Sequence, residues 1–247
     1  MSAIRLGTRA STLATTQSEM VARLLRSEGL DVDLTTITTH GDTSTASLAA
    51  MGGIGVFASA IRATLLKGEA DIAVHSFKDL PTGRPLGLAI GAVPARADPR
   101  DALVARDGLT LHDLPQEASV GTGSPRRAAQ LLAVRPDLTI VDIRGNVDTR
   151  LGRVKGLGHY AKGGGKEDLD AVVLAASGLA RLGHSGTVTE FLDPSVVLPA
   201  PAQGALAVEC RTADSRHGKL AKALARIDDR RTRLAATAER AVLSHLE

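Results

Sequence analysis

Short apolar runs alternate with stretches of helical periodicity along the whole chain, and that alternation restricts it to an α/β architecture of mainly parallel sheets. Residues 4–8 read as a strand. Ser11 then caps a helix whose apolar stripe takes in Leu13, Met20, Val21, Leu24 and Leu25. Val32, Leu34 and Ile37 belong to a threonine-rich strand, and a turn-rich loop covers 41–55. Phe57, Ile61 and Leu65 mark one helical face, followed by strands at 72–74 and 86–93. Pro94-Ala95-Arg96-Ala97-Asp98-Pro99 reads as a hinge. Beyond it come strands near Leu103 and at 119–121, a helix from Pro125, a strand at 138–143, a helix near Thr149 and a strand at 171–175. Pro199 and Pro201 mark a return hinge, residues 205–209 a further strand, and Leu234, Ala238, Val242 and Leu246 the stripe of a last helix. Two hinges around a middle unit predict a two-lobed architecture with a discontinuous first lobe and a cleft between the lobes.

Composition narrows the function. A chain of 247 residues suffices for two small cores, and with aromatics at 2% those cores are built from Ala, Val, Leu and Ile. The net charge of +3 gives no global field, and base-stacking aromatics are nearly absent, so a dedicated nucleic-acid binder is not expected. No stretch approaches a membrane span and no apolar leader follows Met1, which points to the cytoplasm and to no membrane partner. Cys210 is the single cysteine, which excludes an internal disulfide. The histidines lack close ligand spacing, so no metal site is expected.

Ligands of open α/β sheets bind outside the carboxyl ends of strands. Four such ends are polar and mostly cationic. They deliver Thr8, Arg9 and Ser11; then His75, Ser76, Lys78 and Asp79; then Gly121-Thr122-Gly123-Ser124-Pro125-Arg126-Arg127; and last Arg144-Gly145-Asn146 with Arg150 one turn on. In the third, Ser124 and Pro125 suit a helix start, whose free N–H groups and two arginines favour an anion. An ordinary helix start with solvated arginines is the bland alternative. Four cationic strand ends, read as lying on one sheet edge, favour the anion site.

Asp79, in His75-Ser76-Phe77-Lys78-Asp79-Leu80-Pro81, is either an Asx-type turn before Pro81 or an acid placed among cations for chemistry. His75 reads as a structural hydrogen-bonding residue rather than a base. Lys162-Gly163-Gly164-Gly165-Lys166 is not a phosphate loop, because Tyr160 and Glu167 stand where that motif requires Gly and Ser or Thr. Residues 156–166 are expected to form a mobile surface loop without a catalytic role. Cys210, at the end of an apolar strand, is expected to be a buried small hydrophobe.

The ordered motifs carry a resemblance. Leu6-Gly7-Thr8-Arg9 with Ser11, Ala73-Val74-His75-Ser76-Phe77-Lys78-Asp79-Leu80-Pro81, Asp98-Pro99-Arg100-Asp101-Ala102, Val120-Gly121-Thr122-Gly123-Ser124-Pro125-Arg126-Arg127 and Ile143-Arg144-Gly145-Asn146-Val147 with Thr149-Arg150 are followed by three more. These are Gly178-Leu179-Ala180-Arg181-Leu182-Gly183, Leu198-Pro199-Ala200-Pro201-Ala202-Gln203-Gly204-Ala205 and Ala238-Glu239-Arg240. Together they closely resemble the porphobilinogen deaminase (hydroxymethylbilane synthase) family.

The resemblance implies a cytoplasmic, monomeric transferase that joins four porphobilinogen units head to tail, releasing ammonia each time, on a covalent dipyrromethane cofactor. It implies the two-lobed periplasmic-binding-protein fold of type II, with 1–94 and 203–222 in the first lobe, 99–199 in the second, and 228–247 opening a small α/β third domain. Asp79 matches the catalytic aspartate, opposite the positive ring nitrogen that loss of ammonia leaves on the substrate. Arg9, Ser11, Ser76, Lys78, Thr122, Ser124, Arg126, Arg127, Arg144, Arg150 and Arg181 match positions that bind the acetate and propionate groups of substrate and cofactor. Ala50 and Ile54 stand where lysines are common in the family, and 155–167 looks longer than usual. The cofactor cysteine of the family falls just beyond Glu247, so this stretch alone is expected to be incompetent for turnover, with Cys210 no substitute. The reading from another class is a non-catalytic solute-binding protein of the same two-lobed type; the absent leader and the ordered motifs count against it.

Overall fold

A computed structural model describes residues 3–37, 56–83 and 85–246. They fall into two compact units, one of Met1–Ala97 with Ala205–Glu247 and one of Asp98–Gly204. The loop expected at 41–55, with Ala50 and Ile54, lies outside the described residues.

The first unit carries a five-stranded sheet of β1 (Ile4–Thr8), β2 (Val32–Thr36), β3 (Ile72–Ser76), β4 (Leu88–Ala92) and β10 (Leu206–Arg211), in the order β2-β1-β3-β10-β4. Strand β1 pairs in parallel with β2 and β3, whereas β10 runs antiparallel between β3 and β4. Helix α1 (Thr12–Ser27) starts at Ser11, whose side chain accepts from the Ala14 N–H. Its buried face is Gln17, Ser18, Val21, Ala22 and Leu25. Met20 and Leu24, expected on that face, are 37% and 41% exposed. They sit about 100° round the helix from Val21 and Leu25, so the buried stripe is narrower than the apolar pattern predicts. Helix α2 (Val56–Leu66) lays Ile61 and Leu65 against Ala73 and Leu88. Leu86, assigned to the following strand, is 93% exposed, because Gly87 at φ 79° makes a turn there and β4 starts one residue later. Helices α6 (Gly218–Ile227) and α7 (Arg230–Leu246) complete the unit. Its core joins Leu6, Val21, Leu25, Ile72, Val208 and Leu224, each buried side chain contributing about 1.5–3 kcal/mol.

The second unit carries β5 (Asp101–Ala105), β6 (Ser119–Gly121), β7 (Thr139–Val141), β8 (Ala171–Ala175) and β9 (Glu190–Phe191), in the order β7-β6-β8-β5-β9. Strand β6 is parallel to β7 and β8; β5 is antiparallel to β8 and β9. Both faces of β5 and β8 are covered: Leu103 and Val173 join one core layer, Val104 and Val172 the other, which is why these strands read as unbroken apolar runs. Helices α3 (Pro125–Val134), α4 (Val147–Leu151) and α5 (Ala176–Arg181) follow β6, β7 and β8.

Two expectations change. The sheets are mixed rather than mainly parallel, because the strand that opens the second unit (β5) and the one that re-enters the first (β10) arrive without a βαβ crossover, the connection that enforces parallel pairing. Residues 156–166 run over the surface, as expected, but part of the loop is packed, with Gly158 buried. The Gly158 N–H donates to Glu167 Oε1 at 2.6 Å and the Gly165 N–H to Gly158 O at 3.0 Å. A Cβ on Gly165 would lie 1.8 Å from Gly152 O, so backbone there meets backbone at the end of α4.

Candidate active site

In the first unit the carboxyl ends of β1 and β3 lie side by side, as parallel neighbours must. One brings buried Thr8, then Arg9 and Ser11; the other brings Ser76, Lys78 and Asp79. Gln17, on the buried face of α1, donates from Nε2 to Ser76 Oγ at 3.1 Å and ties the two elements together. Phe77–Asp79 form a single 3₁₀ turn. The Phe77 N–H donates to Ala205 O at 3.0 Å, at the start of antiparallel β10. Burial of Phe77 and Leu80 on either side turns Asp79 outward. Its carboxylate accepts no hydrogen bond among the described residues, so it caps no Asx-type turn. His75 faces the sheet interior, with Nε2 3.4 Å from the buried Glu209 carboxylate, which also takes a bidentate Arg62. Burial pushes Glu209 up, but His75 and Arg62 outweigh it and hold the acid below its usual range. The placement of His75 is thus structural.

In the second unit the neighbouring carboxyl ends of β7, β6 and β8 collect the cations. Strand β7 leads to Arg144 and, through α4, Arg150; β6 leads to Thr122, Ser124, Arg126 and Arg127; β8 leads through α5 to Arg181. The four strand ends expected on one edge are therefore two pairs on two sheets. Ser124 caps α3 by accepting from the Arg127 N–H, with Pro125 in the first turn. A Cβ on Gly123 would meet Ile143 O at 2.7 Å, so this glycine serves close approach of the protein's own backbone. Thr122 is buried and its Oγ1 accepts from the Ser124 N–H at 3.2 Å. Half-buried Arg150 donates from Nε to Gly145 O at 2.9 Å. Desolvation and the charges of Arg127 and Arg144 lower its pKa. Desolvation brings Arg181 down to about 10.

Arg126 and Arg127 are not solvated forks. Both bind Asp101, which is wholly buried: Arg126 Nη2 to Oδ2 at 2.6 Å and Arg127 Nη2 to Oδ1 at 2.7 Å. Gln203 Nε2 adds a third donor at 2.7 Å. Burial raises the Asp101 pKa, yet Arg127 and then Arg126 carry it below the ordinary range. Strand β5 is antiparallel, so its first residue stands opposite Ala175 at the end of β8 and delivers this acid to the edge where the parallel strands deliver arginines. Sequence reasoning passed over Asp101, Gln203 and Gln17. An acid flush with a fully apolar strand, and a glutamine spaced four and eight residues before Val21 and Leu25, were the available signals.

Carboxylates suit this edge of the second unit. Arg127 Nε and Arg181 Nε are buried without an acceptor among the described residues, and Arg127 and Arg144 both repel Arg150. A dipyrromethane, with an acetate and a propionate on each ring, matches that donor set. Cys210 does not suit its attachment. The thiol is wholly buried between β3 and β4, and desolvation raises it to about 11. Among the described residues no group of His, Cys, Asp and Glu could hold a metal ion, and no helix is long and apolar enough to cross a membrane.

Mixed sheets with cationic carboxyl ends define an α/β protein of the periplasmic-binding-protein type II class. Solved structures share this fold: a periplasmic substrate-binding protein from Coxiella burnetii (TM-score 0.54, 16% identity, 96% of each chain) and a nutrient-binding protein from Burkholderia cenocepacia bound to methionine (0.51, 16%, 90% of this chain and 91% of that one). The model of the family "Porphobilinogen deaminase, dipyromethane cofactor binding domain" matches residues 4–219. The porphobilinogen deaminase of Cutibacterium acnes is 97% identical over 247 residues, all of this chain and 74% of that protein. That of Micrococcus luteus is 56% identical over 266 aligned positions, covering 100% of this chain and 71% of the relative. The chain belongs to the porphobilinogen deaminase family. Its members are transferases of tetrapyrrole biosynthesis that polymerise porphobilinogen into hydroxymethylbilane, using a dipyrromethane cofactor.

Proposed function

We propose that Asp79 is the catalytic carboxylate of this reaction. Arg9, Ser11, Ser76 and Lys78 of the first unit, with Thr122, Ser124, Arg126, Arg127, Arg144, Arg150 and Arg181 of the second, hold the carboxylates of substrate and cofactor. The observation that carries this reading is the cluster of desolvated guanidinium groups at this edge of the second unit, where buried Asp101 faces both Arg126 and Arg127, and the Nε atoms of Arg127 and Arg181 have no acceptor among the described residues. When bound, the dipyrromethane supplies the pyrrole end to which substrate is joined. The protein's part is to orient carboxylates through these arginines and to set a negative charge, Asp79, against the ring nitrogen that becomes positive as ammonia leaves. Arg127, with Val173 O and Asp101 fixing its two Nη atoms, is pre-aimed for that task. The enzyme acts in the cytoplasm as a monomer, without a nucleic-acid or membrane partner; the modest net charge supports this reading.

The test is turnover of porphobilinogen by the complete gene product and its Asp79→Asn variant. The variant keeps size and loses charge, and the rate is expected to fall about 10²–10³-fold or more with the fold unchanged by circular dichroism. Near-native turnover would remove Asp79 from the mechanism.

A further inference from the structure

We propose that Arg240 is a positioning residue that fixes the turn carrying Asp79. The proposal rests on Asp79 being the catalytic carboxylate. From the middle of α7, Arg240 donates from Nη1 to Phe77 O at 3.1 Å and to Leu80 O at 2.8 Å, and from Nη2 to Pro81 O at 2.6 Å. Its guanidinium also lies over the Phe77 ring, 4.6 Å from the centroid. One planar cation thereby collects carbonyls from both sides of Asp79 and stacks on the residue that opens the turn. Left to itself the turn is weak. It is one 3₁₀ turn of three residues, and the Leu80 N–H reaches Phe77 O only at 3.3 Å.

The rest of α7 is arranged to hold Arg240 in place. Buried Thr232 accepts from the Arg96 N–H at 3.0 Å. Glu239, beside Arg240, takes both Arg96 Nη atoms at 2.5 and 2.8 Å. Arg233 binds Asp228 and donates to Gly91 O at 3.2 Å. Leu234, Val242 and Leu246 are exposed, so the helix meets this unit largely through polar contacts. A lysine could not replace Arg240, because an ammonium is a point charge that neither lies flat on a ring nor spans three carbonyls.

The experiment measures Arg240→Ala and Arg240→Lys in the complete gene product. Misplacing a reacting group by about 1 Å costs up to about 10²-fold, so kcat is expected to fall by that order while KM moves little. Guanidinium ion, far below its unfolding range, should restore part of the rate in Arg240→Ala. Amide hydrogen exchange reads the turn without turnover. The Leu80 N–H should exchange faster in both variants, while the Phe77 N–H, held by Ala205 O, stays protected. Native kcat in either variant overturns the proposal. So does a uniform loss of protection with a lowered Tm and no guanidinium rescue, which a merely structural residue would give. If Arg240→Ala does not fold, Arg240→Lys decides by the same two readouts. A faster Leu80 exchange together with an active Asp79→Asn enzyme would keep the clamp and reject the catalytic assignment of Asp79.

Discussion

Arg127 is tied to a buried acid of its own unit and is proposed to bind ligand carboxylates as well. Its Nη2 neutralises a carboxylate with no access to water, and its Nε has no acceptor among the described residues. Arg127→Leu is therefore expected to do two things. It leaves Asp101 with Arg126 and Gln203 alone; breaking a buried pair costs about 3–5 kcal/mol, and the surviving partner puts this site near the lower end. If Arg127 holds pyrrole carboxylates, as proposed, added porphobilinogen should raise the Tm of the parent protein more than that of the variant. An unchanged Tm without ligand would show that Asp101 does not depend on Arg127. Much of this was legible before the structure. Motif spacing named Arg126 and Arg127, and the Ser-Pro pair placed them at a helix start. Their buried counter-ion was not legible, because it sits 25 and 26 residues away on a strand that pairs in a direction no local pattern encodes.

At the scale of elements, local chemistry was readable wherever one residue type has one use. The cap at Ser11 and the start at Pro125 are of that kind. Strand direction was not, since β5 and β10 have the apolar content of parallel strands but reach their sheets by chain crossings rather than helices. The glycine-rich segment was only partly legible, for another reason. Many glycines fit an unpacked loop, yet they also allow backbone to touch backbone, and Gly165 against Gly152 is the second case. Gly165→Ala is accordingly expected to destabilise the second unit by about 1–3 kcal/mol, the usual cost of overpacking, whereas Gly163→Ala meets nothing within 4 Å and suffers only from its positive φ. Denaturant melts of the two variants would measure the contrast. Equal midpoints would mean that 156–166 does not pack on α4.

For the molecule as a whole, the small net charge conceals an uneven use of acids, and this sets the response to pH. Among the described residues each unit holds one wholly buried carboxylate with basic partners, Asp101 with two arginines and Glu209 with Arg62 and His75. Asp71 adds a third. It binds Arg5 and Arg211 across the strand ends of the first unit, and although burial raises its pKa, those arginines bring it to about 2. All three acids are depressed when folded. A depressed acid stabilises the fold fully above its unfolded pKa, about 3.9 for Asp and 4.3 for Glu, and loses that contribution as pH falls through the folded value. The Tm is therefore expected to hold level down to about pH 5 and then to fall steeply towards pH 2. Asp101→Asn should lower the neutral-pH Tm and flatten the part of the acid slope that belongs to the second unit, because its amide has no proton to gain. Thermal melts from pH 7 to pH 2 on both proteins test this. Parallel curves would mean that Asp101 is protonated in both folded and unfolded chains at the same pH, and that its two arginines do not hold it ionised.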